Sequence, residues 1–139
     1  MRACSAMSVY GGQNGGTEMA VTIFECCGGF ATVRKVVSSF YDKLLDSESL
    51  SGYFENADMR RLIDHQTKFI ASIMGGPAEY SDEVIERVHQ PLNITKPHFL
   101  EMADLLRETL EDFEVEDGDI QHVYRDILRR EGLVVGRQL

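Results

Sequence analysis

The amino-acid sequence predicts an all-α fold, and three observations lead to that class. Apolar residues recur three and four positions apart in several segments, which is the spacing of one face of a helix. No segment of strand length alternates convincingly between apolar and polar residues. Glycine pairs and prolines stand at the ends of the periodic segments, where helices commonly stop. About five helices follow from this pattern.

Two long helices are predicted in the first half of the chain. The first follows Gly28-Gly29 and has the sequence FATVRKVVSSFYDKLL. A helical turn or loop, SESLSGYFENA, leads to the second helix, which Asp58 is placed to cap and which the pair Gly75-Gly76 ends. Because glycine tolerates positive φ, both pairs allow sharp turns. We therefore expect two pairs of helices that stack closely around a shared interior.

Three helices are predicted in the second half. Ser81 is placed to cap the short helix SDEVIERVHQ, which Pro91 stops. Thr95 is placed to cap the long helix TKPHFLEMADLLRETLEDF. The last helix, DIQHVYRDILRR, begins near Asp119 and is predicted to end at Gly132.

Length and charge bound the class of protein and its partners. The chain has 139 residues and a formal net charge of −9. One domain is expected, at residues 19–139, preceded by a flexible glycine-rich tail at residues 1–18 that contains YGGQNGGTE. The acidic charge repels phosphate backbones and anionic lipid, so neither nucleic acid nor a membrane is an expected partner. No apolar run approaches the ~18 residues of a membrane span, and no secretory signal is visible, so a cytoplasmic location is expected.

The three cysteines do not form a recognisable site. Cys26 and Cys27 are adjacent and Cys4 stands apart, so none has the spacing of a zinc or redox motif. An odd count also argues against a disulfide scaffold. We expect reduced thiols, most simply small buried apolar residues.

Four polar side chains are predicted to point inward from three helices. In the stretch IDHQTKF, His65 and Gln66 interrupt a face that is otherwise apolar. Tyr41 lies on the inner face of the first helix, and His89 ends an apolar stripe on the third. Each alone could be a core side chain bonded to a backbone carbonyl, but buried polar groups are costly without a partner. Together they favour a bound group that is polar at its centre and apolar at its edges.

Three kinds of metal site are compatible with some of these residues. Glu86 and His89 form Glu-x-x-His, the motif of di-iron sites, but the sequence has no second copy. Zinc requires three or four Cys, His or carboxylate ligands, more than two inward histidines supply. Two imidazoles on either side of a flat macrocycle fit haem, whose iron takes axial histidines. A helical interaction module without haem is the remaining alternative.

On these residues the sequence resembles the truncated haemoglobins, in particular group I, cyanoglobin-like members. The matching segments are FYDKLL on the first helix, DMRRLIDHQ on the second, MGGPAEY after it, and VHQPLNIT around the histidine of the third. The resemblance covers residues 22–130. It implies a truncated globin fold, a two-over-two helical sandwich around haem b. Non-covalent binding is expected, because no histidine follows His122 to link to the haem.

The resemblance also implies roles for individual residues. His89 matches the proximal haem ligand. Tyr41 matches the distal tyrosine that donates a hydrogen bond to a bound diatomic ligand, and Gln66 matches the glutamine that supports it. His65 matches a position from which a histidine closes onto the iron as a sixth ligand in some relatives. Five further residues are implied to contact the haem: Phe54, Arg61, Leu62, Phe69 and Tyr80. Among them, Arg61 is the expected partner of a haem propionate.

The function implied by the resemblance is binding of diatomic gases (O2, NO and CO). Conversion of NO to nitrate with O2 is the expected reaction, with a separate reductase, because the sequence contains no flavin or nicotinamide domain. The resemblance favours coordination of the iron by His65, and the alternative function is then a bis-histidyl protein for electron transfer or for redox or gas sensing.

Overall fold

Seven α-helices and two short 3-10 helices make up the part of the chain described by the computed structural model, residues 22–136. None of the helices within this range is both long and apolar enough to span a bilayer. The predicted tail, residues 1–18, lies outside the described range. The helices are α1 Ile23–Cys27, α2 Gly29–Asp46, α3 Met59–Ile73, α4 Asp82–His89, α5 Lys96–Asp112, α6 Asp117–Leu128 and α7 Glu131–Val134, with 3-10 helices at Ser51–Phe54 and Gln90–Leu92.

The four longest helices form two stacked pairs. α2 packs on α3 and α5 packs on α6, and the pairs meet where α2 contacts α5 and α3 contacts α6. The side chains between the layers include Val33, Val37 and Leu44 from α2 and Leu106 and Leu110 from α5, all at most 4% exposed. The described residues form no strand, only an isolated parallel bridge. This arrangement confirms the predicted all-α class and the two-over-two sandwich.

The predicted helix starts are supported by side-chain caps. Asp58, Ser81 and Thr95 each accept a hydrogen bond from the backbone N–H three residues further on, over 3.3, 3.2 and 3.3 Å. Such caps satisfy N–H groups that have no partner inside the helix. Gly75 follows α3 with φ +88°, a conformation that favours glycine.

Helix α1 was not predicted. Its segment, IFECC, is five residues long, too short to show a helical period. A reciprocal cap stabilises its first turn. The Thr22 hydroxyl accepts a hydrogen bond from the Glu25 N–H over 3.1 Å, and the Glu25 carboxylate accepts one from the Thr22 N–H over 3.3 Å. Gly28, at φ +109°, ends α1 and begins α2.

The C-terminal end of the fold differs from the prediction. Helix α6 ends at Leu128, and Gly132 lies inside α7 instead of ending a helix. The prediction was wrong because Arg130 closes α6, its guanidinium donating to the Asp126 carbonyl over 3.0 Å, and no glycine is needed there.

The chain beyond α7 is tied to the segment that follows α4. The Gly136 N–H donates to the Ile94 carbonyl over 2.8 Å. The Gln90 amide donates to the carbonyls of Leu133 and Val135 over 3.0 and 2.9 Å. The end of the fold thus supports the region around His89.

The two neighbouring cysteines differ in state. Cys27 is a free, buried thiol, and burial together with nearby Asp119 raises its pKa to about 11. Cys26 is disulfide-bonded, so the expectation of reduced thiols is wrong at that position.

Candidate functional site

A largely apolar cavity of about 260 Å³ is enclosed by residues from every helix between α2 and α7. Most of its wall consists of aliphatic and aromatic side chains. The residues implied by the resemblance that line it are Tyr41, Phe54, Leu62, Gln66, Phe69 and His89. The other polar or charged side chains on its wall are Tyr53 and Arg130.

His89 is oriented by a backbone hydrogen bond. Its Nδ1 lies 2.7 Å from the Ile85 carbonyl oxygen, one turn earlier on α4. Because a carbonyl only accepts, Nδ1 carries the hydrogen and Nε2 keeps its lone pair. Burial lowers the pKa of His89, although the Ile85 bond opposes this shift. A neutral imidazole with a free Nε2 therefore faces the cavity, and this tautomer is the usual one for a metal-ligating histidine.

Tyr41 and Gln66 approach the cavity from α2 and α3. Tyr41 is only 5% exposed, and its ring packs edge-on against Phe40 and Phe54 at centroid distances of 5.2 and 5.5 Å. Burial raises the pKa of Tyr41, so the phenol stays protonated at neutral pH. No residue among 22–136 hydrogen-bonds to its hydroxyl, Gln66 included. The hydroxyl is not among the fully buried polar atoms that lack a partner, and Tyr41 lines the cavity, so this donor is available to a molecule bound there.

Three implied site residues do not line the cavity. His65 and Arg61 are exposed on α3. Counting 100° per residue, His65 lies roughly 90° around the helix from the centre of the stripe that faces the cavity. Tyr80 lies behind the wall, packed on Phe69 at 5.9 Å, with its hydroxyl donating to the His65 carbonyl over 3.3 Å. The geometry thus gives no support to a sixth iron ligand from His65 in this conformation.

Sequence reasoning missed two polar features of the wall. The Tyr53 hydroxyl lies 2.7 Å from His98 Nδ1 and accepts from the Thr95 N–H over 3.4 Å. His98 is half-buried by this contact. Arg130 was overlooked although it follows Ile127 by three positions, in line with the apolar stripe of the predicted last helix.

The side chains present fit haem better than the other metal sites weighed. Among the described residues no group of three His, Cys, Asp or Glu side chains could hold a metal ion, which disfavours zinc and di-iron. One imidazole with a free Nε2, one buried phenol without an acceptor and a mostly apolar wall match a macrocycle that brings four of its own ligands.

The sequence is similar to known globins. Residues 22–133 match the family model of the bacterial-like globins. The group 1 truncated hemoglobin GlbN of Mycolicibacterium paratuberculosis is 37% identical over 89 residues, 64% of this chain and 65% of that protein. The group 1 truncated hemoglobin of Tetrahymena pyriformis is 31% identical over 114 residues, 77% of this chain and 94% of that protein.

The fold is similar to solved structures. The truncated hemoglobin of Tetrahymena pyriformis in its Fe(III) form superposes with a TM-score of 0.76 at 29% identity, over 84% of this chain and 99% of that one. The 2/2 hemoglobin of Synechococcus sp. PCC 7002, solved in the cyanomet state with covalently attached heme, gives 0.78 at 28% identity, over 84% and 100%. The family match over residues 22–133 and a relative aligned over nearly its whole length make this chain a member of the bacterial-like globins and, among them, of the group 1 truncated haemoglobins.

Proposed function

We propose that this protein binds haem b without covalent attachment, with His89 Nε2 as the iron ligand from the protein. The observation that carries the proposal is the 2.7 Å bond from His89 Nδ1 to the Ile85 carbonyl. It fixes the tautomer and the ring orientation. Nε2 of the neutral ring therefore keeps its electron pair for a metal ion at an apolar cavity.

Haem, when bound, supplies an iron atom that takes diatomic ligands and exchanges electrons. The residues of this chain decide what happens to those ligands. Tyr41 remains a neutral phenol because burial raises its pKa, so its hydroxyl donates a hydrogen bond to a partly anionic diatomic guest. Such a bond is strong in a dry site. Gln66, on the neighbouring helix, supports the same guest or orients the phenol.

The reaction we propose is conversion of NO to nitrate, in which NO, O2 and one electron combine. A strong hydrogen bond from Tyr41 holds O2 long enough for NO to arrive, which favours reaction over release. The electron comes from a separate reductase. The support for this activity is the buried Tyr41 donor.

The alternative, a bis-histidyl protein for electron transfer or sensing, requires His65 at the iron. His65 is exposed and absent from the cavity wall, so α3 would have to rotate or shift. We therefore favour gas binding, with His65 outside the site, over the bis-histidyl alternative.

Optical spectra of the purified protein test the haem proposal. Ferric, ferrous and CO forms are recorded for the wild type, for His89→Ala and for His65→Ala as the matched histidine control on the protein surface. We expect His89→Ala to lose stoichiometric haem and His65→Ala to keep wild-type spectra. Full haem content in His89→Ala would disprove the ligand assignment. Split, sharp ferrous bands that disappear in His65→Ala would establish the bis-histidyl form.

A rapid-mixing measurement tests the reaction. The reduced, oxygen-loaded protein is mixed with NO, and nitrate is quantified per haem. We expect one nitrate per haem in a single turnover, and further turnover only when a reductant is supplied. Release of O2 without nitrate would limit the function to gas binding.

A further inference from the structure

Tyr53 and His98 form a hydrogen-bonded pair that the proposed function leaves unused. Tyr53 lies in the 3-10 helix Ser51–Phe54 and lines the cavity, while His98 lies in the first turn of α5. The Tyr53 hydroxyl is 2.7 Å from His98 Nδ1, and the two rings meet edge-on at a centroid distance of 5.5 Å. The pair therefore joins a phenol of the cavity wall to an imidazole on another element.

The hydrogen of the Tyr53 hydroxyl points to His98. The hydroxyl oxygen accepts from the Thr95 N–H over 3.4 Å, and His98 Nδ1 is its other partner among the described residues. The hydroxyl therefore donates to Nδ1, which leaves the ring hydrogen of the neutral imidazole on Nε2. Nε2 has no partner within residues 22–136 and is not among the buried atoms that lack one, so solvent reaches it.

This arrangement suits the joint loss of an electron and a proton. A phenol that loses an electron becomes a strong acid, and a positive charge left on a ring at an apolar wall is costly. The His98 imidazole can take the proton over the existing hydrogen bond, since histidine is the usual proton acceptor near neutral pH. Because the N-terminal end of α5 disfavours a lasting cation, the proton then leaves to solvent from Nε2.

No other tyrosine within residues 22–136 combines these features. Tyr41 lines the cavity, but its hydroxyl has no proton acceptor in this part of the chain. Tyr80 donates to a backbone carbonyl, which is not a base at neutral pH, and Tyr124 donates to Asp104, but neither tyrosine lines the cavity. Tyr53 is thus the described tyrosine that has both a basic partner and a place on the cavity wall.

We propose that Tyr53 is a redox-active tyrosine, which gives an electron to the group in the cavity when a hydroperoxide oxidises that group. The inference rests on the proposed function, because haem is the group expected there. The electron passes from the Tyr53 ring into the cavity, and the hydroxyl proton moves to His98 Nδ1. A neutral phenoxyl radical and an imidazolium remain.

The electrons and protons of the whole reaction balance. Breaking the O–O bond of a hydroperoxide and reducing it to an alcohol and water takes two electrons and two protons. Tyr53 supplies one electron, the bound group supplies the other, and the protons come from solvent. The separate reductase of the proposed function returns both electrons, and Tyr53 regains its proton. His98 acts through Tyr53 and is a positioning residue that holds the proton.

Rapid-freeze electron paramagnetic resonance tests the proposal. Haemin-loaded wild type, Tyr53→Phe, His98→Gln and Tyr124→Phe are mixed with hydrogen peroxide and frozen at intervals, with circular dichroism as the check of folding. We expect a tyrosyl radical in the wild type and in Tyr124→Phe, the matched control, and its loss in Tyr53→Phe. Glutamine accepts a hydrogen bond but takes up no proton, so the radical should form roughly 100-fold more slowly in His98→Gln.

Nitrogen NMR of the CO form gives a readout that needs no peroxide. We expect His98 to carry its hydrogen on Nε2 and to accept at Nδ1, and Tyr53→Phe to remove the signature of that accepted bond. A hydrogen on Nδ1 would overturn the proposed direction of proton transfer. If Tyr53→Phe does not fold, this measurement on the wild type and the rate in His98→Gln still decide the matter.

The remaining outcomes separate this inference from the function on which it rests. An undiminished radical in Tyr53→Phe, or an unchanged rate in His98→Gln, would overturn the redox role. Uptake of haemin by the wild type without any tyrosyl radical would defeat this inference alone. If the wild type takes up no haemin, the proposed function fails and this inference fails with it.

Discussion

At the scale of single residues, the two tyrosines on the cavity wall differ in what their hydroxyls already do. Tyr53 bonds to His98 and to the Thr95 N–H. The Tyr41 hydroxyl has no partner among residues 22–136, although its ring is more deeply buried. A donor at the wall of a cavity that has no acceptor within the protein is available to a guest that supplies one. This difference is the reason why we propose Tyr41, and not Tyr53, as the hydrogen-bond donor to a bound gas.

Replacing Tyr41 by Phe removes the donor and keeps the ring. Because a hydrogen bond to a charged acceptor contributes about 1.5–3 kcal/mol, we expect O2 to dissociate roughly 10- to 100-fold faster. Stopped-flow displacement of O2 by CO measures this rate. Tyr53→Phe is the control, since its hydroxyl is used within the protein, and its O2 rate should change little. Equal acceleration in both variants would contradict the assignment to Tyr41.

Asp119 is a second residue whose side chain lacks a hydrogen-bond partner, and it does not line the cavity. It lies in the first turn of α6 with 0% exposure, and neither carboxylate oxygen has a partner within the described chain. Burial and the neighbouring Glu116 raise the pKa of Asp119, while His122 partly opposes them. The folded state therefore favours the protonated form of Asp119 more than the unfolded chain does.

The raised pKa of Asp119 predicts a pH dependence of stability. Above the ordinary carboxyl pKa, the unfolded chain loses this proton while the folded chain retains it, so the free energy of unfolding falls as pH rises until the folded pKa is passed. In Asp119→Asn this contribution disappears, and the decline in stability over the pH range just above the ordinary carboxyl pKa should flatten. Urea denaturation across that range measures it, with exposed Asp117→Asn as control. Parallel curves for the wild type and Asp119→Asn would rule the effect out.

At the scale of elements, α1 is held against the end of α3 by a close approach. The Phe24 N–H donates to the Met74 carbonyl over 3.0 Å. A Cβ added at Gly76 would lie 2.8 Å from the Phe24 ring and 3.0 Å from the Ala71 carbonyl oxygen. Glycine is required here for space, because nothing larger fits between α1 and α3 without moving one of them.

The close approach at Gly76 predicts a loss of stability on substitution. Gly76→Ala should lower the free energy of unfolding by roughly 1–3 kcal/mol, the usual cost of overpacking. Gly132→Ala is the opposite case, since a Cβ there meets nothing within 4 Å and Gly132 lies inside α7. That variant should be neutral or gain about 0.5–1 kcal/mol. Thermal unfolding of both variants compares them, and a stable Gly76→Ala would show that α1 moves freely.

The sequence predicted those elements whose signal is local. The long helices show their period over many residues, and the caps at Asp58, Ser81 and Thr95 depend on contacts three residues apart. Helix α1 is too short for a period. In the site, the resemblance indicated Tyr41, Gln66 and His89. The Tyr53–His98 contact joins positions 45 residues apart, and no pattern within a single helix encodes such a pair.

At the scale of the whole molecule, the cavity lies among the elements that hold the two layers together. Residues from α2 to α7 form its wall, and side chains such as Leu44, Ile70 and Leu106 belong both to that wall and to the core. A molecule bound there completes the interior, so binding and folding are linked.

This linkage predicts that haem stabilises the whole fold. A ligand present at a thousand times its dissociation constant adds about 4 kcal/mol to the free energy of unfolding. We expect the holo-protein to melt well above the apo-protein, and His89→Ala to melt near the wild-type apo-protein whether or not haemin is added. Calorimetry with and without haemin measures the difference, and coincident melts of wild-type apo- and holo-protein would refute it.

The spread of the wall along the chain has a consequence for synthesis in the cell. Along the chain, the first residue that lines the cavity is Phe40 and the last is Val134. The Gln90 side-chain amide donates hydrogen bonds to the carbonyls of Leu133 and Val135. A ribosome delivers these parts in order, so the compartment does not exist while residue 134 is still inside the exit tunnel. Capture of the proposed haem therefore waits until Val134 has left the exit tunnel, and a nascent chain stalled before that point has His89 but an incomplete cavity wall.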